Sequence, residues 1–354
     1  MMRQFRRYYL PVFLLAGLGL ILLPTLLGLP TLFSPIVLKA QPAAVAGEPK
    51  TMAHMSVGCH WLPQAQFAGY YMAREKGFYR QAGLAVDIVH AGAMTSNVDM
   101  LEKNQVEFAS LFLSTAVRLR TDGADLVNIG QLFRHSSLIL AARKSAGIKE
   151  LKDLNGKRIG IWRSDFRDAP LQFLRQQGIH ADIVFMNASI DLFLWGGVDA
   201  MLVTSYNELH TLRMCGVTAD ELRLFPLKNY GLDIPEDGIY CREKFYRAHP
   251  DLCRRFMSAT MEGWHYAATH QEETLDTMEK IMHDNHLPFA RCHQRWMLEK
   301  SLALIYPDGI NRQVPDFSPV EYAAAVKLLE DAGRIKTAPS FAVFARPVGP
   351  EGRK

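Results

Sequence analysis

HMSVGCHWLPQAQFAGYYMAREKGFYRQAGLAVDIV, residues 54–89, decides the fold class. His54–His60 reads as a short apolar strand, Ala65–Gln81 has helix length and amphipathic spacing, and Leu84–Val89 is a second strand. Strand, helix, strand is the βαβ unit of an α/β fold with a largely parallel sheet. The alternation continues outward through a helix at Ser96–Lys103, a strand at Val106–Leu113 and a helix from Thr115 to Thr121. A strand at Leu126–Leu132 and an extended apolar run at Ser137–Ala142 complete one lobe.

A second α/β lobe is predicted after Lys144. Leu151–Lys157 is a turn closed by Gly156, followed by strands at Arg158–Trp162, Ala181–Met186, Asp199–Thr204 and Leu222–Pro226. Helices at Ala169–Gln177 and Glu208–Cys215 separate them. Gly238–Cys241 then returns as a strand, and helices follow at Pro250–Thr269, Glu272–Asn285 and Pro319–Ala332. The predicted organisation is lobe 1 at 52–142 plus 238–336, lobe 2 at 143–237, and a loosely ordered tail at 337–354. A lobe inserted in another implies crossings near Ala142 and Asp237, the two-lobed plan in which ligand lies in the cleft between lobes.

Residues 1–46 differ from the rest. Arg3, Arg6 and Arg7 precede a charge-free stretch from Tyr8 to Leu38, and small residues follow at Ala40 and Ala44-Val45-Ala46. This is the grammar of a secretory signal, yet its length also suits a membrane span despite Pro11, Pro24, Pro30 and Pro35. A cleaved leader and a retained anchor both stay open, and both put the remainder outside the cytoplasm, in the periplasm. The formal charge of +4 resides in Arg3, Arg6, Arg7 and Lys39, since residues 1–46 hold no acidic residue. A neutral remainder lacks the basic footprint of a nucleic-acid binder. The five cysteines (Cys59, Cys215, Cys241, Cys253, Cys292) show no CxxC spacing, which argues against a zinc or redox motif. Cys241 and Cys253 are the nearest pair for a disulfide, with free buried thiols as the alternative.

Several segments, in order, carry a family resemblance. They are Trp61 through Leu84, Gly147 through Trp162, Gly197–Ala200, Tyr206–Glu208, Asn229–Gly231, Glu236–Gly238, and the Gly263–Ala267 segment. Together they resemble the SsuA/THI5-like (NMT1) group of substrate-binding proteins, in particular its thiamine-pyrimidine subgroup. The resemblance implies a two-lobed periplasmic-binding-protein type II fold, a small polar ligand such as a pyrimidine thiamine precursor, and an ABC transporter permease as partner. It implies no cofactor and a monomer. Eukaryotic relatives are pyrimidine synthases that carry a Lys, and four residues later a His, after the third strand. Leu111 and Thr115 stand there in this chain, and neither supplies a Schiff-base amine or an imidazole. The synthases' cysteine-rich cluster is replaced by Leu232–Asp237. Pyrimidine importers of the group carry an Asn-His pair where this chain has Gln66 and Phe67.

Candidate contacts follow from a flat heteroaromatic ligand, which needs stacking faces and a few polar groups. Trp61 ends the first strand, where open α/β sheets bind ligands; lobe packing is its alternative role. Gln64 and Gln66 begin the following helix as donors or exposed caps, and Phe67 there reads as core. Ser114, with Thr115, opens a helix able to receive an anion, or merely caps it. Trp162, Arg163 and Ser164 end a strand of the second lobe; Arg163 clamps an anion or pairs with Asp165 or Asp168. Tyr206 and Asn207 follow another strand and offer a ring face and an amide. Glu236 and Asp237 lie at the return crossing, as acceptors for an exocyclic amine or as a hinge brace. No HExxH, GxSxG, Walker loop or GxGxxG is present, and adjacent carboxyls do not make a glycosidase pair. The reading is a solute-binding protein rather than an enzyme. Its rivals are a pyrimidine synthase and an anchored sensor that uses the N-terminal segment in the membrane.

Overall fold

The computed structural model describes residues 52–91, 96–163, 167–187, 189–311, 313 and 317–346. The leader, Ser164, Asp165 and the last residues of the tail lie outside them. The first sheet contains β1 (Ala53–Cys59), β2 (Leu84–His90), β3 (Phe108–Phe112), β4 (Val127–Gln131) and, from far along the chain, Asp237–Cys241. The second contains β5 (Leu138–Arg143), β6 (Arg158–Trp162), β7 (Asp182–Met186), β8 (Ala200–Thr204) and β9 (Leu222–Pro226). Numbering the returning strand β10, the orders are β2-β1-β3-β10-β4 and β7-β6-β8-β5-β9.

Each sheet is mixed rather than largely parallel. β10 runs antiparallel between β3 and β4, and β5 antiparallel between β8 and β9, because each enters its sheet from the opposite end. The expected lobe boundary also moves. Residues 138–142 pair within the second sheet, so the chain changes sheets at 132–137 and again between Pro226 and Asp237. All but the last residue of β5 are buried on both faces. Such a strand shows no polar alternation to indicate which sheet it joins.

The helices of the first sheet are α1 (Ala68–Glu75), α2 (Phe78–Gln81), α3 (Asn97–Glu102) and α4 (Leu113–Thr121). The single helix expected over 65–81 is a three-ten turn, Ala65–Phe67, then α1, a break at Gly77 (φ +75°), and α2. That positive φ favours glycine. Helices α5 (Asp168–Gln176), α6 (Asp191–Leu194) and α7 (Glu208–Met214) accompany the second sheet. After β10 come α8 (Glu243–Ala248), α9 (Pro250–Thr269), α10 (Gln271–Asp284), α11 (Arg291–Ile305), α12 (Pro319–Asp331) and α13 (Phe341–Phe344).

The core beneath the first sheet rests on α1 and α9. Phe256 stacks on Phe108 at 3.9 Å between centroids, and Trp264 is fully buried. The two helices touch at glycines, since a Cβ on Gly69 would fall 2.2 Å from the Trp264 ring. The tail expected to be loose is instead packed through Ala345. Phe344 is completely buried against Tyr322 and Tyr240, aromatic contacts that Pro and Gly content alone conceals. All five cysteines are free, Cys59, Cys241 and Cys253 buried, Cys215 and Cys292 exposed. Among the described residues no helix is long and apolar enough to cross a membrane.

Candidate functional site

The strand ends of the first sheet gather on one edge. β1 ends at Cys59, β2 at His90 and β3 at Phe112, and β10 starts beside them with Asp237 opposite Phe112. In the second sheet β8 ends at Thr204, opposite Leu138, where β5 begins. The two crossings between these edges are bonded to each other. Leu132 N and Phe133 N both donate to Asp237 O at 2.9 Å, and Glu236 N donates to Phe133 O at 3.1 Å. Glu236 completes the junction with its side chain. Oε1 accepts from Ser136 Oγ (2.9 Å) and Ser137 N (2.7 Å), and Oε2 from Ser137 Oγ (2.6 Å). Burial pushes its carboxyl up to about 7, although those three donors favour the charged form. These bonds join Glu236, on one crossing, to Ser136 and Ser137 on the other.

Asp237 is different. Its Oδ2 lies 3.7 Å from His60 Nδ1, while Oδ1 is buried without a hydrogen-bond partner among the described residues. Burial pushes this carboxyl up to about 8. A buried acceptor left unpaired costs free energy comparable to a lost hydrogen bond.

A polar chain leads from the surface to this carboxyl. Gln64 Nε2 donates to Gln66 Oε1 (2.7 Å), which turns the Gln66 amide nitrogen toward His60 Nε2 at 3.2 Å. His60 Nε2 therefore accepts, and the ring proton sits on Nδ1, facing Ser110 Oγ at 2.9 Å and the Asp237 carboxyl beyond. Phe67 packs edge-on to the His60 ring at 5.1 Å and Phe112 tilts against it at 5.1 Å. Behind Phe67, His90 stacks on Tyr71, accepts from its hydroxyl at 2.6 Å and bonds the Trp61 carbonyl. Burial lowers the His90 pKa to about 4, so it is neutral. Trp61 itself is half-buried, its backbone thereby tied to the neighbouring strand end.

The remaining candidates separate. Tyr206 is buried with its ring edge-on to Phe133 of the 132–137 crossing at 5.7 Å. Asn207 donates to Glu208 Oε1 (3.0 Å) and turns Oδ1 to His293 Nε2 (3.1 Å). Ser114 and Thr115 lie inside the first turn of α4, whose N-cap is Phe112, so neither caps it; Thr115 Oγ1 is buried with no partner among the described residues. Trp162 is buried, with no partner for Nε1 among the described residues. Arg163 is exposed over the Phe185 ring, and Asp168, one expected partner, pairs instead with Arg334 at 3.1 Å. Leu111 joins the apolar cluster of the other sheet face, away from the cluster that holds Phe67.

Sequence reasoning missed His60, His90, Ser110, Ser136 and Ser137. The strand-end rule that selected Trp61 reaches His60 and His90 when applied one residue earlier and to β2. It also missed all of α11, which supplies His293, Trp296 and Gln294. Gln294 Oε1 accepts from Ala65 N at 2.8 Å and fixes the start of the three-ten turn.

Residues 64–274 match the family model described as NMT1/THI5 like, more than half of the chain. The chain belongs to the NMT1/THI5-like family. Among relatives, this NMT1/THI5-like chain is 24% identical over 295 residues to the "Riboflavin-binding protein RibY" of Chloroflexus aurantiacus, covering 81% of this chain and 82% of that one. It is 18% identical over 239 residues to the "Formylaminopyrimidine-binding protein" of Halalkalibacterium halodurans, covering 66% and 72%. Its fold matches the periplasmic aliphatic sulphonate binding protein SsuA of Escherichia coli, with TM-score 0.64 at 14% identity over 82% of this chain and 97% of that one. The matched family span contains both crossings, Gln64, Gln66 and Asp237, and stops before α11.

Proposed function

We propose that this chain is an extracytoplasmic solute-binding protein that delivers a small nitrogenous heteroaromatic molecule to an ABC importer. Asp237 carries the reading. A carboxyl with one unpaired oxygen, beside an imidazole and two phenyl rings and next to the hinge, suits a flat ring that presents N–H donors. A pyrimidine meets that description, and both riboflavin and formylaminopyrimidine contain pyrimidine-type rings. Trp61 and Gln64 border the same strand end, and Tyr206 brings the second sheet's contribution to the hinge. Closure of the two halves over the ring excludes water and presents a defined surface to a permease. The chain acts as a monomer in the periplasm. The synthase reading lacks an amine at Leu111 and an imidazole at Thr115.

A thermal-shift panel of formylaminopyrimidine, riboflavin, thiamine, taurine, an alkyl sulfonate and pyridoxal phosphate tests this. The expected result is a raised melting temperature with a pyrimidine-containing compound, largely lost in Asp237→Asn. A shift with sulfonates alone, or one indifferent to Asp237→Asn, overturns the assignment of the ligand.

A further inference from the structure

The two halves meet a second time, away from the crossings. Here α7, which follows β8 of the second sheet, faces α11, which is tied through Gln294 to the turn preceding α1. His210 Nδ1 lies 3.0 Å from His293 Nδ1, with the rings stacked at 5.2 Å between centroids. Trp296 also stacks on His210 at 4.9 Å, and its Nε1 donates to Ser205 O at 2.9 Å.

The hydrogen bonds fix where the protons are. Asn207 donates its amide to Glu208, so its Oδ1 is the atom that faces His293 Nε2. That contact requires His293 Nε2 to donate, which leaves His293 Nδ1 with a lone pair and makes His210 Nδ1 the donor to it. A proton added to His293 must go to Nδ1. Two N–H groups then meet at 3.0 Å unless His210 moves its own proton to Nε2, and in either case positive charge enters a partly buried ring pair.

We propose that His210 and His293 form an acid-released latch between the two halves, so that acidification separates α7 from α11. Its use in releasing solute rests on the receptor reading, whereas the separation itself does not. Among the described residues no carboxylate bonds either imidazole directly. Glu208 is committed to Thr204 and Asn207. Arg213 on α7 and Lys300 on α11 lie over Trp296 at 5.0 and 4.7 Å, adding positive charge nearby. Arg291 and Arg295 on α11 are paired with Glu272, and Glu299 acts on Arg295. Burial, and then the neighbouring His210, lower the pKa of His293 from 6.5 to about 4, and burial lowers that of His210. A lowered imidazole pKa means the closed contact is fully favoured above the ordinary value and weakens as pH falls below it. One-proton linkage makes that loss about tenfold per pH unit until the closed form itself takes the proton.

Two native thiols flank the latch. Cys215 follows α7 and Cys292 lies in α11; both are exposed, while the other three cysteines are buried. Nitroxide labels on Cys215 and Cys292 of the full chain, read by double electron–electron resonance without added solute, report the separation. The expected result is a distance distribution that lengthens between about pH 6.5 and pH 4, the window set by the ordinary and lowered histidine values. In His293→Gln the amide bonds both Asn207 and His210 without titrating, so the distance stays at its neutral-pH value. His210→Gln is expected to do the same, so the test survives if one variant folds poorly. An unchanged wild-type distance down to pH 4, or the same lengthening in the Gln variants, overturns the latch. Because no solute is added, that failure is separate from a failure of the ligand panel.

Discussion

Asp237 and Glu236 are adjacent carboxyls with opposite employment. Glu236 has all its visible bonding inside the hinge, whereas Asp237 keeps one oxygen unpaired. Solute N–H donors favour the ionised form of Asp237 in the complex, so Asp237→Asn is expected to weaken solute binding by roughly 10- to 100-fold, the loss of a bond to a charged group worth about 1.5–3 kcal/mol, measured by titration calorimetry. The same residue sets a pH dependence of stability. Burial raises its folded pKa from 3.8 to about 8, so the folded state holds the proton more tightly than the unfolded chain. The stabilisation is complete below about pH 4 and disappears as pH rises through 8. The melting temperature of the solute-free chain is therefore expected to fall from pH 5 to pH 8.5, with a flatter profile in Asp237→Asn. At this scale the sequence disclosed the strand-end carboxyl but not which of the two neighbours was spent. That depended on Ser136 and Ser137, a hundred residues away along the chain.

At the scale of elements, the α1–α9 contact gives a physical reason for the glycine in the Gly263–Ala267 segment. A Cβ at Gly263 would lie 2.0 Å from Gly69 O and 2.6 Å from Ala73 N, both backbone atoms that cannot rotate away. Gly263→Ala is expected to cost about 3 kcal/mol in urea denaturation, at the upper end for overpacking because the obstacle is main chain. The βαβ alternation and the length of α9 were legible because their apolar spacing is regular; Pro250–Thr269 was bounded to the residue. α11 was not legible because it serves two neighbours. Met297, Leu298 and Ser301 are buried, while His293 and Trp296 turn polar atoms toward the second sheet's elements. A helix clothed on two sides shows no clean stripe. The sheet allegiance of β5 was hidden for the related reason that nearly all of it is buried.

For the whole molecule, the hinge and the latch respond to pH in opposite senses. Protonation relieves the buried carboxyls at the crossings and opposes the contact between His210 and His293. Acidification from pH 7 to pH 5 is thus expected to raise the melting temperature while lengthening the Cys215–Cys292 distance, a divergence that general acid unfolding does not produce. The two-sheet plan with two crossings was readable from the order of strands and helices. The place where the chain changes sheets was displaced by several residues, since register and pairing are tertiary facts. The central claim is that the junction beside Asp237 holds a small heteroaromatic solute without chemistry. Native mass spectrometry of the full chain, purified without refolding, tests it most directly. The account predicts one non-covalent pyrimidine-containing guest per chain, lost on mild activation and absent from Asp237→Asn. A covalent pyridoxal adduct, or a guest retained unchanged in Asp237→Asn, would contradict it.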